Sequence, residues 1–317
     1  MIELGDNMTK VVKRKVKIKK KNFAIFIAFI MIFTFAVTQI VFIVFKVITT
    51  PKEIEKEKPQ TEIKKDNPKK VLTDEEEKLK KLKNINKKLS YFKTDNLDRY
   101  INYKEDNPEK SDEQIIKDVN MNLDKEPYED AMKVTNLNNN LILVNKYNYL
   151  EEDYVPNNLK SINRRYALSG MKLVKEAKEA FEDLSSDAAQ EDLKIVAMSS
   201  YRSYDYQVDL YNRYARSDGK DKADTYSGRP GFSEHQTGLA VDVYDQELNY
   251  TNFGKTNEFK WMQKHAHEYG FILRFPEGKE EETGYVYESW HYRYVGVKVA
   301  TYIKENDITL EEYIATH

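Results

Sequence analysis

Residues 23–45 of this 317-residue chain, FAIFIAFIMIFTFAVTQIVFIVF, contain no charged side chain. A helix of about 20 apolar residues is long enough to cross the hydrocarbon layer of a membrane, so this run predicts one transmembrane helix. Residues 1–22 carry eight lysines and arginines, which predicts a cytoplasmic tail and an extracellular location for the chain after the span. A cleaved signal peptide is the alternative, but the run is long for one and no A-x-A pattern follows it. The sequence therefore predicts a single-pass protein of the cell membrane.

The part after the span divides by composition into two extensions and one folded domain. Residues 46–90 are rich in Lys, Glu, Asp and Pro, and such a segment cannot bury enough apolar surface to fold. They predict a charged linker, helical in part after Thr73, and we favour a spacer over a wall-binding segment. Residues 91–137 mix apolar positions with turn signals and predict a membrane-proximal helical segment with an N-cap at Ser111. Residues 138–317 predict the folded domain.

Composition narrows the chemistry available to that domain. The chain has five histidines and no cysteine, which excludes disulfides, thiolate nucleophiles and cysteine-ligated zinc. A metal ion would therefore need histidine, aspartate or glutamate ligands. Residues 141–317 carry a net charge of about −8, so nucleic acid is not an expected partner.

Apolar residues in the domain alternate between a helical and an extended pattern. Segments with a period near 3.6 predict helices, and segments with a period of two predict strands. Helices are predicted at 169–184, at 204–216 behind an N-cap at Ser203, at 257–269 behind an N-cap at Thr256, and as a final pair; strands are predicted at 193–200, 238–244, 271–275 and 285–295. This order predicts an α+β fold with a central antiparallel sheet flanked by helices.

The segment SEHQTGLAVD, residues 233–242, places a histidine seven residues before an aspartate. In a strand, Val241 and Asp242 point to opposite faces, so the carboxylate lies away from the apolar face. Gly238 can adopt a positive φ, which lets the chain turn back and bring His235 towards Asp242. Taken alone, this spacing is more often a loop histidine beside a surface aspartate.

A second segment, YESWHYRY at residues 287–294, supplies Glu288 and His291. These two side chains would point apart on a regular strand, so both can serve one site only if the chain bends between them. A catalytic zinc site needs three protein ligands and one open position. His235, Asp242 and His291 supply that number, and Glu288 is left as a general base.

Arg202 lies between a predicted strand and the start of a predicted helix. A guanidinium there can bind a substrate carboxylate or stabilise an oxyanion. Gln207, about one turn into the helix, adds a donor and an acceptor. An arginine at a helix start is more often only solvated, so this position by itself decides nothing.

Together these motifs resemble the VanY-type D-alanyl-D-alanine carboxypeptidases of the LAS group of zinc peptidases. The group's pattern S-x-H-x-x-G-x-A-x-D matches residues 233–242, and its E-x-x-H matches Glu288 and His291. The family's YRS, with a glutamine five residues after the arginine, matches Arg202 and Gln207. Three separated motifs in the right order make the resemblance specific.

The resemblance covers roughly residues 141–317, with one departure at Ser289, where relatives often have proline. It implies one Zn²⁺ per chain and removal of the terminal D-alanine from a peptidoglycan stem peptide. The expected partners are that peptide and the cytoplasmic membrane. The implied roles are zinc ligation by His235, Asp242 and His291, general base catalysis by Glu288, carboxylate or transition-state contact by Arg202, and substrate contact by Ser233 and Gln207.

Two alternatives remain at this point. An L,D-carboxypeptidase acting on the tetrapeptide would share these motifs, because the metal chemistry is indifferent to the stereocentre. A non-catalytic, zinc-stabilised cell-wall binding module would need neither Glu288 nor Arg202, and their presence favours the enzyme.

Overall fold

The computed structural model describes residues 76–77, 80, 88–245 and 250–317. The predicted span at 23–45, the basic tail and most of the charged linker lie outside these residues, so the membrane anchor stays a prediction. Among the helices that are described, none combines the length and the apolarity that crossing a bilayer requires.

Short strands and helices alternate along the described chain. The strands are β1 (Met132–Lys133), β2 (Asn148–Tyr149), β3 (Leu159–Ser161), β4 (Lys172–Val174), β5 (Val196–Ser199), β6 (Ala240–Tyr244), β7 (Phe271–Leu273) and β8 (His291–Tyr294). The helices are α1 (Leu97–Asp106), α2 (Asp112–Asn120), α3 (Lys175–Gln190), α4 (Tyr204–Asp218), α5 (Lys220–Ala223), α6 (Asn257–His265), α7 (Glu280–Thr283), α8 (Val297–Asn306) and α9 (Leu310–Thr316).

The central sheet has four strands in the order β5-β6-β8-β7, and every neighbouring pair is antiparallel. Val241 and Val243 on β6 are fully buried, in one hydrophobic core with apolar side chains of α3 and α6. The predicted central antiparallel sheet flanked by helices is therefore confirmed. Since strand residues alternate between faces, Asp242 lies on the face opposite this core.

Several predicted elements are longer or shorter than observed, and two of them begin six residues too early. The helix predicted to begin at residue 169 begins at Lys175, because Lys172–Val174 pairs with β3 as a strand and Val174 donates its backbone N–H to the Gly238 carbonyl at 3.0 Å. The strand predicted at 285–295 is confined to His291–Tyr294. Before it, the backbone N–H of Val286 bonds the Thr225 carbonyl, a loop partner rather than a sheet neighbour.

The helical segment at residues 91–137 packs against residues 138–317 through its second helix. Ser111 caps α2 as predicted, accepting a hydrogen bond from the Gln114 N–H at 3.1 Å. Isoleucines and Tyr100 in α1 and α2 form a buried apolar cluster. At the end of α2, the Asn120 side chain donates to the Ala315 carbonyl of α9 at 3.1 Å. The segment and the C-terminal helix therefore stabilise each other.

We expect a chain of residues 138–317 to be less stable than one of residues 88–317. The shorter chain loses β1 and the contacts of α2 with α9. One hydrogen bond contributes about 1 kcal/mol and apolar contacts add to it, so a loss of at least about 2 kcal/mol and a Tm lower by roughly 4–8 °C are expected. Thermal unfolding of both chains measures this. Equal Tm values would show that the segment is only an appendage.

Candidate metal centre

His235 reaches the site from a short 3₁₀ helix, Glu234–Thr237, that ends at Gly238. Gly238 has φ +68°, a left-handed conformation that favours glycine, and a Cβ there would lie 2.9 Å from Leu159 Cδ2, which would have to shift. The Nδ1 atom of His235 lies 2.7 Å from the Ser200 carbonyl oxygen. A carbonyl can only accept, so Nδ1 carries the proton and the lone pair is on Nε2. That Nε2 atom is buried and makes no hydrogen bond.

Asp242 and His291 face each other across neighbouring strands. They are directly paired in the register of β6 with β8, and Asp242 Oδ1 lies 2.7 Å from His291 Nδ1. Asp242 Oδ2 lies 3.3 Å from His235 Nε2. One ligand atom from each of the three residues lies within 4.8 Å of the others, and tetrahedral zinc ligands at about 2.1 Å from the ion stand roughly 3.4 Å apart. The donor types, the unbonded Nε2 and the 3.3 Å between His235 Nε2 and Asp242 Oδ2 fit zinc.

The two histidines differ in charge because their neighbours differ. Burial and the nearby Arg202 guanidinium lower the pKa of His235 to about 4, so its ring is neutral. Burial would also lower the pKa of His291, but hydrogen bonds to the carboxylates of Asp242 and Glu234 outweigh it and raise that pKa to about 9. Without a metal, a proton on Nδ1 joins His291 to Asp242. A divalent cation can replace that proton.

The bend that the Glu288 and His291 spacing requires is present. Strand β8 begins only at His291, and the preceding residues form a turn in which the His291 N–H points to the Glu288 carbonyl at 3.4 Å. Both side chains therefore line one cleft. Burial raises the pKa of Glu288 to about 8, and the neighbouring Asp242 carboxylate adds to the rise while His291 opposes it. A carboxyl group with a pKa near neutrality can both accept and donate a proton.

Arg202, Gln207 and Ser233 line the same cleft, which has a volume of about 630 Å³. Arg202 donates to Gln207 Oε1 and to Asp242 Oδ2, both at 3.2 Å, while its Nε atom is buried and unbonded. The amide nitrogen of Gln207 donates to the Gly228 carbonyl at 2.7 Å. Gln207 thus orients Arg202 and fixes the adjacent loop, and its contact with substrate, like that of Ser233, stays a prediction.

Comparison with known proteins adds three similar relatives. The family model VanY, described as D-alanyl-D-alanine carboxypeptidase, matches residues 170–297. "Putative carboxypeptidase YodJ" of Bacillus subtilis (strain 168) is 41% identical over 57% of this chain and 68% of that protein. A D-alanyl-D-alanine carboxypeptidase of Enterococcus faecium is 33% identical over 55% of this chain and 57% of that relative's length. The LdcB LD-carboxypeptidase, whose solved structure concerns peptidoglycan recognition, is 38% identical over 60% of this chain and 92% of that chain, with a TM-score of 0.56.

The chain belongs to the VanY family. It is a carboxypeptidase of that family by descent, and all the site residues named from its sequence lie inside the matched range 170–297. The resemblance inferred from three short motifs is thereby confirmed.

Sequence reasoning missed four buried charged residues behind this VanY site. His291 Nε2 lies 2.8 Å from Glu234 Oε1, and that carboxylate begins a set that we term the buried charge cluster. The cluster consists of Glu234, Arg274, Arg293 and Glu311. The sequence did contain a signal, because the arginines inside the predicted strands at 271–275 and 285–295 need buried partners.

We expect zinc uptake by this VanY family member to release a proton at pH 6. His235 is already neutral there, but His291 is charged because pH 6 lies below its raised pKa. Zinc affinity should therefore rise about tenfold per pH unit between pH 6 and 8. Calorimetry in buffers of different ionisation enthalpy counts the proton, and His265→Ala, at a half-exposed histidine paired with Glu268, is the control. Uptake without proton release at pH 6 would contradict the assignment of His291.

Proposed function

We propose that this chain is a membrane-anchored zinc carboxypeptidase that removes the terminal D-alanine from peptidoglycan stem peptides. One observation carries the proposal. A buried His235, Asp242 and His291 group opens into the same cleft as Glu288 and Arg202. The D-alanyl-D-alanine carboxypeptidase of Enterococcus faecium supports the choice of substrate.

Zinc, when bound, supplies a Lewis acid that polarises a carbonyl group and lowers the pKa of water. Glu288 would take the proton of the attacking water and deliver it to the leaving amine. Its buried position suits this role, because the raised pKa brings the carboxyl group close to the working pH. A binding module would have no use for such a group.

Arg202 would recognise the negative charge that distinguishes a peptide terminus. Its side chain is held from two sides by Gln207 and Asp242, and the buried Nε is left without a partner. An unsatisfied buried donor is unfavourable by about 1–3 kcal/mol, so an incoming carboxylate or oxyanion would relieve that cost. The guanidinium is thereby oriented before substrate arrives.

The cleft continues away from the metal centre along α4. Tyr206 and Tyr214 of that helix and the facing Val286 line it and are partly exposed. This rim would hold the part of the stem peptide that precedes the scissile bond. Apolar and aromatic walls suit peptide side chains and stems without fixing one stereocentre.

L,D-carboxypeptidase activity on a tetrapeptide is the second candidate. This candidate is favoured by the similarity to the LdcB LD-carboxypeptidase. The two chains are 38% identical, and the match covers 92% of the LdcB chain. The same metal centre and base would serve, and the shape of the cleft would select the substrate.

Full-length chain loaded with zinc should release D-alanine from a synthetic pentapeptide ending in D-Ala-D-Ala, measured by mass spectrometry. Release from the tetrapeptide instead would support the second candidate. Glu288→Ala should lower kcat about a hundred- to ten-thousandfold, because proton transfer is lost, and should keep its zinc. Glu268→Ala, at a carboxylate on the surface beside His265, is the matched control. Loss of zinc from Glu288→Ala, or no release from either peptide, would contradict the proposal.

The anchor places the enzyme beside its substrate. The uncharged run 23–45 and the basic tail before it favour a cytoplasmic N-terminus and an extracellular catalytic domain. Because the chain has no cysteine, a single Thr61→Cys substitution offers a unique label. We expect a membrane-impermeant maleimide to modify it in intact cells, whereas Asn7→Cys should react only after lysis. The reverse pattern would contradict this topology.

A further inference from the structure

The buried charge cluster lies directly behind His291 and is closed to solvent. Glu234, Arg274, Arg293 and Glu311 have exposed fractions of 4%, 1%, 0% and 1%. They come from four separate places: the 3₁₀ helix before β6, the residue after β7, strand β8 and the first turn of α9. Two carboxylates and two guanidiniums balance in charge.

A continuous path of hydrogen bonds joins α9 to the metal centre through this cluster. Glu311 accepts two bonds from Arg274, at 2.6 and 2.8 Å, in a bidentate pair. Arg274 donates its Nε to Glu234 Oε2 at 2.9 Å, and Arg293 donates to the same oxygen at 3.1 Å. The other oxygen of Glu234 lies 2.8 Å from His291 Nε2.

The two carboxylate oxygens of Glu234 therefore bind different partners. Oε2 is occupied by the two guanidiniums, and Oε1 is left for the imidazole of His291. That bond fixes the ring orientation and turns Nδ1 towards Asp242. An acceptor behind a metal-binding histidine sets its tautomer and raises its basicity.

Glu311 keeps Glu234 Oε1 available for His291, because it supplies a second carboxylate for Arg274. Without its charge, two buried guanidiniums would share the single carboxylate of Glu234, and a neutral amide in place of Glu311 could accept from only one of the two Arg274 donors. A buried guanidinium left unpaired is strongly unfavourable, so Arg274 would draw further on Glu234 at the expense of His291. Asn145 also donates to Glu311 Oε1, at 3.1 Å, which holds the carboxylate towards Arg274.

A structural role alone explains the cluster poorly. Buried ion pairs contribute little net stability compared with apolar side chains of similar volume, yet this chain places four charged groups behind one histidine. Arg293 also donates to the backbone carbonyls of Tyr294, Asn140 and Ile142, which is a structural role. The bonds of Glu311, Arg274 and Glu234, in contrast, follow one another from α9 to the ring of His291.

We infer that Glu311 is a positioning residue for the metal centre, acting on His291 through Arg274 and Glu234. The inference rests on the proposed zinc site. Glu311 touches neither the ligands nor the cleft, and it sets how tightly and in what geometry the centre holds its ion.

The test is zinc affinity of the full-length chain carrying Glu311→Gln, measured by competition with a chelator of known affinity. Loss of an outer partner of a metal ligand commonly weakens binding ten- to a hundredfold, and we expect at least about a tenfold rise in the zinc Kd. The visible spectrum of the cobalt-substituted chain should change as well, because the ligand geometry changes.

Asp118→Asn is the matched control. Asp118 is equally buried and paired with Lys110 at 2.7 Å, but it lies in α2 and has no bond to the cluster. This variant should lose stability and keep wild-type zinc affinity and cobalt spectrum. A change in both variants alike would mean that metal binding merely follows stability, and would overturn the inference.

Failure of the two proposals can be told apart. If the wild-type chain bound no zinc, the proposed function would fail. If it bound zinc and Glu311→Gln bound it equally well with the same cobalt spectrum, the positioning role would fail. Should Glu311→Gln not fold, Glu311→Asp keeps the charge one methylene further back. A higher zinc Kd for Glu311→Asp than for the wild-type chain would then support the role, and wild-type affinity would overturn it.

Discussion

The backbone pairing of β6 with β8 is the constraint on which the site depends. Hydrogen bonds between these strands place Asp242 opposite His291, so two side chains nearly fifty residues apart meet without any loop to position them. The turn at Gly238 then brings His235 to Asp242 and His291. The backbone carbonyl of His235 accepts a hydrogen bond from the Arg202 N–H at 3.2 Å. Groups held by regular backbone keep their geometry before ligand binds.

Burial shifts the pKa of every ionisable group in the metal centre, but the resulting charges differ. It raises the pKa of Glu288 by more than the charges of His291 and Arg202 lower it, and it lowers the pKa of His235. For Glu234, burial alone would raise the pKa, but the guanidiniums of Arg274 and Arg293 outweigh it and hold that pKa well below its usual range. Glu288 as a base, His235 as a neutral ligand and Glu234 as an anion are therefore all buried in the same site, and they differ in charge because their neighbours differ.

The residues that carry chemistry were predictable, and those that orient them were not. Asp242 follows from the period of two in its strand, and His235 from the glycine that lets the chain reverse. The bend before His291 was demanded by spacing and is found. Arg274 and Glu311 are 37 positions apart. No local sequence pattern predicts such an ion pair, because tertiary packing determines which residues meet. The start of α3 was misplaced for the same reason, because pairing with β3 overrides the helical spacing of residues 172–174.

The family match ends at residue 297, whereas the ion-paired support of the centre extends to Glu311 in α9. A chain cut at residue 297 would keep Glu234 and both guanidiniums of the buried charge cluster and would lose the carboxylate of Glu311, so the cluster would carry a net positive charge. The unit that must stay intact in a truncation or a chimera of this chain is therefore longer than the matched range. That unit includes helix α9.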